Sequence, residues 1–186
     1  MTDKTMRERM LAGEPYIADD PEITRDAQRA LRLTHAINTA DPTDGDTLRG
    51  LFTELLGDFG DGAEIRPPFR CDYGYQTTFG ARSFANFGLV VLDVATVTVG
   101  DDVQIGPNVQ LLTATHPLDP TPRREKWEAA EPIVIGDNVW LGGGVIVCPG
   151  ATIGENTVVG AGSVVVGSLP ANVVAVGAPA RAIREL

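Results

Sequence analysis

A beat of six residues constrains this chain more than any other feature. An aliphatic residue, usually followed by glycine, recurs at Val99-Gly100, Ile105-Gly106, Leu111, Ile135-Gly136, Leu141-Gly142, Val147, Ile153-Gly154, Val159-Gly160 and Val165. Four residues after most of these anchors stands a second small or β-branched residue: Val103, Val109, Thr115, Val139, Val145, Ala151, Thr157 and Ser163. One hexad supplies a short strand and a corner, and three hexads close a triangular coil, so the pattern predicts a parallel β-helix. Counting back by sixes from Val99 puts Asp93, Phe87 and Ala81 at further anchors, with Val97 and Val91 as companions.

Composition fits that reading. Only 6% of residues are aromatic, whereas 21 are glycine and valine is abundant. Coils packed with β-branched side chains and turned at glycine need such a mixture. With 43% apolar residues, a chain of 186 can bury a core as one domain with a small appendage. A formal net charge of -10 argues against a nucleic-acid footprint or an anionic membrane surface, both of which need clustered Lys and Arg. Cys71 and Cys148 stand in no metal-ligand spacing, and two histidines, His35 and His116, are too few for a three-histidine metal site; no metal is expected. The polar N-terminus lacks a signal-peptide apolar run, so the expected location is the cytoplasm.

Residues 1–60 read as a helical cap and residues 61–186 as the β-helix, an all-β architecture with one helical appendage. Within the cap, Ala27, Ala30, Leu31, Thr34 and Ile37 share one face of a helix over 24–38, with Thr24 as its N-cap. Leu48, Leu51, Phe52 and Leu55 mark a second helix over 46–56, and Asp41 to Gly45 is the turn between them. A helix pair there covers the first coil, whose rungs would otherwise offer unpaired backbone groups. The hexads stop once. Residues 113–131 carry three prolines and a charged run from Arg123 to Glu128, so this segment is expected to leave the coil as a loop.

Two residues break the pattern in a chemically informative way. Asp93 occupies an expected inward anchor, where an unpartnered carboxylate is costly; it either caps a corner by accepting backbone N–H groups or faces a ligand. His116 follows an expected inward Thr115 and so points outward at the root of the expelled loop.

These segments, taken in order, resemble the hexapeptide-repeat O-acetyltransferases of the maltose, galactoside and nodulation-protein type. The resemblance rests on Ala12-Gly13-Glu14-Pro15-Tyr16 with Asp20-Pro21-Glu22, on Pro67-Pro68-Phe69-Arg70-Cys71-Asp72-Tyr73-Gly74, and on Phe84-Ala85-Asn86-Phe87. It continues through Thr115-His116-Pro117, Ile135 to Gly142 and Gly160 to Val165, and so spans nearly the whole chain. Hexads alone are shared by many acyltransferases and by some non-catalytic β-helices; the ordered combination is more specific.

The resemblance implies a left-handed coil and transfer of acetyl from acetyl-CoA to a sugar hydroxyl. His116 matches the catalytic base, and histidine suits that task because its ordinary pKa lies near neutrality. Gly143 matches the backbone oxyanion donor, although Gly142-Gly143-Gly144 also reads as a tight corner. Glu128 matches an acidic position near the acceptor. Asp20, Asp72, Asn86 and Asp93 match the lining of the sugar pocket. Trp140, Gly143, Ala161, Val166, Arg181 and Arg184 match positions along CoA, with Val166-Gly167 standing where relatives commonly carry Thr and Lys. Family members are trimers with sites between subunits, so a homotrimer is expected. The readings kept beside this one are an acetyltransferase for another hydroxyl or an amine (an antibiotic, serine or an amino-sugar), and a non-catalytic scaffold.

Overall fold

The structure, a computed structural model, describes residues 4–186. It is a left-handed parallel β-helix of about six turns. Three flat faces run along it. One contains the strands 69–71, 89–92, 110–112, 146–147 and 164–165; the second contains 58–59, 77–79, 97–99, 133–135 and 152–153. The third begins with 64–65, 84–85, 104–105, 140–141 and 158–159, and ends in a hairpin of 173–177 and 180–185. All neighbours within a face pair in parallel except that hairpin, which closes the C-terminal end. The inward column is almost wholly aliphatic: Val103, Ile105, Val109, Leu111, Ile135, Val139, Leu141, Val145, Val147 and Ile153 are all buried.

Spacing differs along the solenoid. Phe69 lies beside Leu89, and Val90 beside Gln110, each twenty residues apart; Trp140 lies beside Val158, and Ile146 beside Val164, eighteen apart. The lower coils therefore carry two extra residues at the corner between the first and second faces. This corrects the backward count from Val99. The inward residues below it are Val97, Val91, Leu89, Ala85 and Ser83, whereas Phe87 is 52% exposed and Ala81 only half-buried. Asp93 is buried not as a hexad anchor but as one of the residues that widen a corner.

Among the described residues, four helices decorate the coil. α1 (Met6–Leu11) was not anticipated; Thr5 accepts from Glu8 N–H and Glu8 accepts from Thr5 N–H, a reciprocal cap that starts a helix of only six residues. α2 (Pro21–Thr39) starts three residues earlier than the Thr24 expectation, because Asp20 caps it and Pro21 fits the first turn. α3 (Gly45–Leu55) is capped by Asp44, whose side chain accepts from Thr47 N–H. α2 and α3 cover the open first coil. Ala30, Ile37, Phe52 and Leu55 join the main core, and Phe52 packs at 5.5 Å from both Phe59 and Phe69. The Asn38 amide donates to Phe69 carbonyl and accepts from Phe69 N–H, tying α2 to the first face.

The interrupted segment does leave the coil, but it is folded. It contains α4 (Pro120–Arg124) and a strand at 127–130. That strand pairs antiparallel on one edge with 114–115 and on the other with Tyr16–Ile17. Beneath this small sheet Met10, Tyr16, Ile23, Tyr73 and Val94 form a second core, so the N-terminal segment clamps the expelled loop onto the solenoid.

Candidate active site

The widened corner between the first and second faces gathers most of the chemistry. Asp72, Tyr73, Asp93 and Thr113 succeed one another up this edge, and 113 is where the loop departs. Asp93 is fully buried; Oδ1 accepts from Tyr73 N–H at 2.9 Å, while Oδ2 has no partner among the described residues. Burial, and secondarily the Asp72 charge, push its carboxyl up to about 6 against the Tyr73 N–H that favours ionisation. Asp93 thus does cap a corner, at the cost of one orphaned oxygen. Thr113 Oγ donates to Leu92 carbonyl and accepts from Ala95 N–H, so the same corner is fastened from above.

Asp72 is half-buried, and its carboxyl is likewise pushed up to about 6, first by burial and then by Glu128. Glu128 projects from the strand 127–130 and accepts from the Tyr16 phenol at 2.9 Å through Oε2. None of Asp72, Asp93 and Glu128 forms an ion pair among the described residues, so three carboxyl groups share one edge without a cation. His116 follows the strand 114–115 at the mouth of this region and is exposed. The edge therefore presents an accessible imidazole beside half-buried acids, a combination able to take a proton from a hydroxyl and to hold neighbouring hydroxyls.

The remaining expected residues lie elsewhere. Asn86, Gly143 and Ala161 occupy the edge between the third and first faces; Asn86 Oδ1 accepts from Phe87 N–H, and Gly143 carbonyl accepts from Gly162 N–H at 2.9 Å. The Gly143 N–H meets no acceptor among the described residues. An added Cβ on Gly142 would stand 2.5 Å from Ala161 N, so backbone is packed against backbone at this edge. Trp140 is 56% exposed on the third face next to that edge, Val166 is 53% exposed on the first edge, and Arg181 and Arg184 are exposed on the closing strand. Asp20 is committed to folding: one oxygen accepts from Glu22 N–H at 2.7 Å and the other from Arg7 N–H at 3.3 Å.

Residues that the sequence reading passed over are Tyr16 and Tyr73, both buried against this edge, and Thr113. Tyr16 lay in a recognised motif, but its partner is distant in sequence. Cys71 lies behind Asp72 with its thiol pushed up by burial, which disqualifies it as a nucleophile. A concavity of about 740 Å³ opens between α3 and the first coils, lined by Leu48, Arg49, Phe52, Phe59, Arg66 and Phe87 among others; none of the candidate site residues borders it. Among the described residues no helix is long and apolar enough to cross a membrane.

Residues 9–60 match the maltose acetyltransferase hexapeptide capping motif, and residues 132–167 match the six-repeat bacterial transferase hexapeptide. Nodulation protein L of Rhizobium meliloti is 47% identical over 178 residues, 96% of this chain and 97% of that protein. The crystal structure of a maltose O-acetyltransferase from Clostridium difficile 630 superimposes with a TM-score of 0.97 at 41% identity, covering 98% of both chains. A galactoside acetyltransferase in complex with coenzyme A superimposes with a TM-score of 0.94 at 38% identity, covering 98% of this chain and 92% of that one. The chain belongs to the hexapeptide-repeat O-acetyltransferase family of the maltose, galactoside and nodulation-protein type, and it is an acetyl-CoA-dependent acyltransferase.

Proposed function

We propose that this enzyme transfers acetyl to a hydroxyl of a sugar, with His116 as general base. The observation that carries the reading is the exposed imidazole of His116 at the mouth of an edge lined by Asp72 and Glu128. His116 removes the hydroxyl proton as that oxygen attacks the thioester carbonyl carbon; when the carbon–sulfur bond breaks, His116 returns the proton to the departing thiolate. Direct attack needs no covalent enzyme intermediate, in keeping with the inert setting of Cys71. Gly143 N–H stabilises the charge gathering on the carbonyl oxygen. Asp72, Glu128 and Asn86 orient the acceptor hydroxyls, Asp93 supports the edge from within, and Asp20 acts on the site only through the helix it caps. Trp140, Ala161 and Val166 contact the pantetheine arm, and Arg181 and Arg184 meet phosphate at the nucleotide end.

The oligomer we propose is a homotrimer. His116, Asp72, Glu128 and Val166 lie along one edge of the solenoid, and Asn86, Gly143 and Ala161 along another, so one chain cannot bring both sets to one substrate. Packing the first edge of one copy against the other edge of the next joins them, and a ring of three closes the arrangement. The test is thiol release from acetyl-CoA against a panel of hexoses, disaccharides, amines and amino acids. Turnover with pyranosides is the expected result; turnover confined to amines would overturn the sugar assignment. Subunit mixing tests the shared site: inactive His116→Ala and Asn86→Ala proteins, refolded together, should regain part of the wild-type rate, and no regain would place both edges' roles within one copy.

A further inference from the structure

Tyr16 is buried to 1% exposure, yet it is not a simple packing residue. Its phenol donates to Glu128 Oε2 at 2.9 Å, and its backbone pairs with Glu128 itself, while Ile17 pairs with Trp127. The strand that carries Glu128 pairs on its other edge with Ala114 and Thr115, which lead directly into His116. One buried side chain from the N-terminal segment is therefore joined, through the four-residue strand 127–130, to both the acidic group and the base of the site.

The electrostatic setting gives that hydrogen bond a purpose. Glu128 faces Asp72, and Tyr73 lies against both. Arg9 of α1 sits over the Trp127 ring at 5.7 Å and donates to Pro15 carbonyl, so it is engaged away from these carboxyl groups. With two carboxyl groups opposed and no cation between them, one has to give up its charge or find a strong donor. Burial and the Glu128 charge hold the Tyr16 phenol well above its usual value, so it stays a donor throughout the working range of pH. The phenol supplies that donor to Glu128, while burial and the Glu128 charge push the Asp72 carboxyl up to about 6.

We propose that Tyr16 is a positioning residue for the acceptor, fixing the Glu128 carboxylate in the rotamer that meets the acceptor hydroxyls. The N-terminal capping segment is then part of the active site of its own chain as well as a lid on the first coil. This inference rests on the reading of Glu128 as an acceptor contact.

Tyr16→Phe, Glu128→Ala and the double variant, assayed at saturating acetyl-CoA, test it. Tyr16→Phe keeps the ring among Met10, Ile23 and Tyr73 and removes only the donor. The expected result is an acceptor KM raised about fivefold or more, as for loss of a hydrogen bond to a charged group, with the KM for acetyl-CoA unchanged. The acceptor kcat should fall far less than the acceptor KM rises, a split that a merely structural loss would not give. In the double variant the loss should be no larger than in Glu128→Ala alone. If Glu128→Ala raises the acceptor KM but Tyr16→Phe leaves that KM unchanged or lowers kcat as much as it raises KM, or if the two losses add, Tyr16 is structural and the proposal is wrong. If Glu128→Ala itself leaves the acceptor KM at the wild-type value, the fault lies in the role given to Glu128.

Discussion

The lower and upper coils of this solenoid are built from one repeat but solve different problems. In the upper coils, eighteen residues close the turns from Val134 to Val165 and sixteen the last, the interior is mainly valine, isoleucine and leucine, and the corner between the second and third faces repeats. Asn138 donates to Asn156, and Asn156 to Asn172, each at 2.9 Å, up one such corner where the backbone turns through positive φ. The lower coils take twenty residues, are filled by Phe59, Phe69 and Phe79, and use their two extra residues to bury Tyr73 and Asp93. Regularity gives a stable stack, whereas the irregular corner is where a carboxylate is held against its preference and a loop is thrown out. In the proposed reading, the base and the acidic groups lie where the period is broken.

Core truncation should separate the two regions most. Phe79→Ala, in a lower coil with Phe59 at 6.1 Å, is expected to cost about 3–5 kcal/mol by denaturant unfolding, and Val159→Ala in an upper coil about 2 kcal/mol. Equal losses would mean that both regions relax alike around a cavity.

Asp93→Asn sharpens the contrast at the widened corner, since the amide oxygen can still accept from Tyr73 N–H but carries no charge. A carboxyl whose folded pKa is about 6 favours the fold in its protonated form; its contribution is complete below pH 4 and is lost as pH rises through 6. Stability of the wild type relative to Asp93→Asn should therefore fall between pH 4 and pH 7.5, by about 3 kcal/mol if that carboxyl titrates alone. A difference between the two proteins that is flat with pH would remove the buried charge from the account.

Asn156→Ala tests the regular corner. It breaks two side-chain hydrogen bonds and leaves alanine at φ 60°, for an expected loss of about 1 kcal/mol with unchanged turnover. A loss of activity there would extend the site beyond the broken corner.

Much of this was legible in the residues. The upper hexads mark the faces correctly because the inward positions from Val99 onward obey the count, with one correction: Thr115, expected to face inward, is only half-buried and pairs with Ala129 on the strand that has left the coil. The frame failed below Val99 because a two-residue insertion leaves apolar residues at sixes anyway: Phe87 fits the count and faces solvent. The Asp20-Pro21 cap was written in the sequence, as was the Thr5 to Glu8 box; both were missed because helical periodicity was weighed before end signals. Asp72, Asp93 and His116 stand about one coil apart in sequence, and the structure gathers them on one edge. Tyr16 was out of reach: its partner Glu128 lies 112 residues away, and no local pattern predicts an antiparallel pairing over that separation.

The central claim is that the imidazole thrown outward at the broken repeat performs the proton transfer. Its most direct test is the initial rate of thiol release from acetyl-CoA by His116→Ala, measured with a sugar acceptor that the wild type uses. The account predicts a fall in kcat of about 10²–10⁴ with the thermal midpoint and the KM for acetyl-CoA preserved. A variant that turns over at the wild-type rate would contradict it.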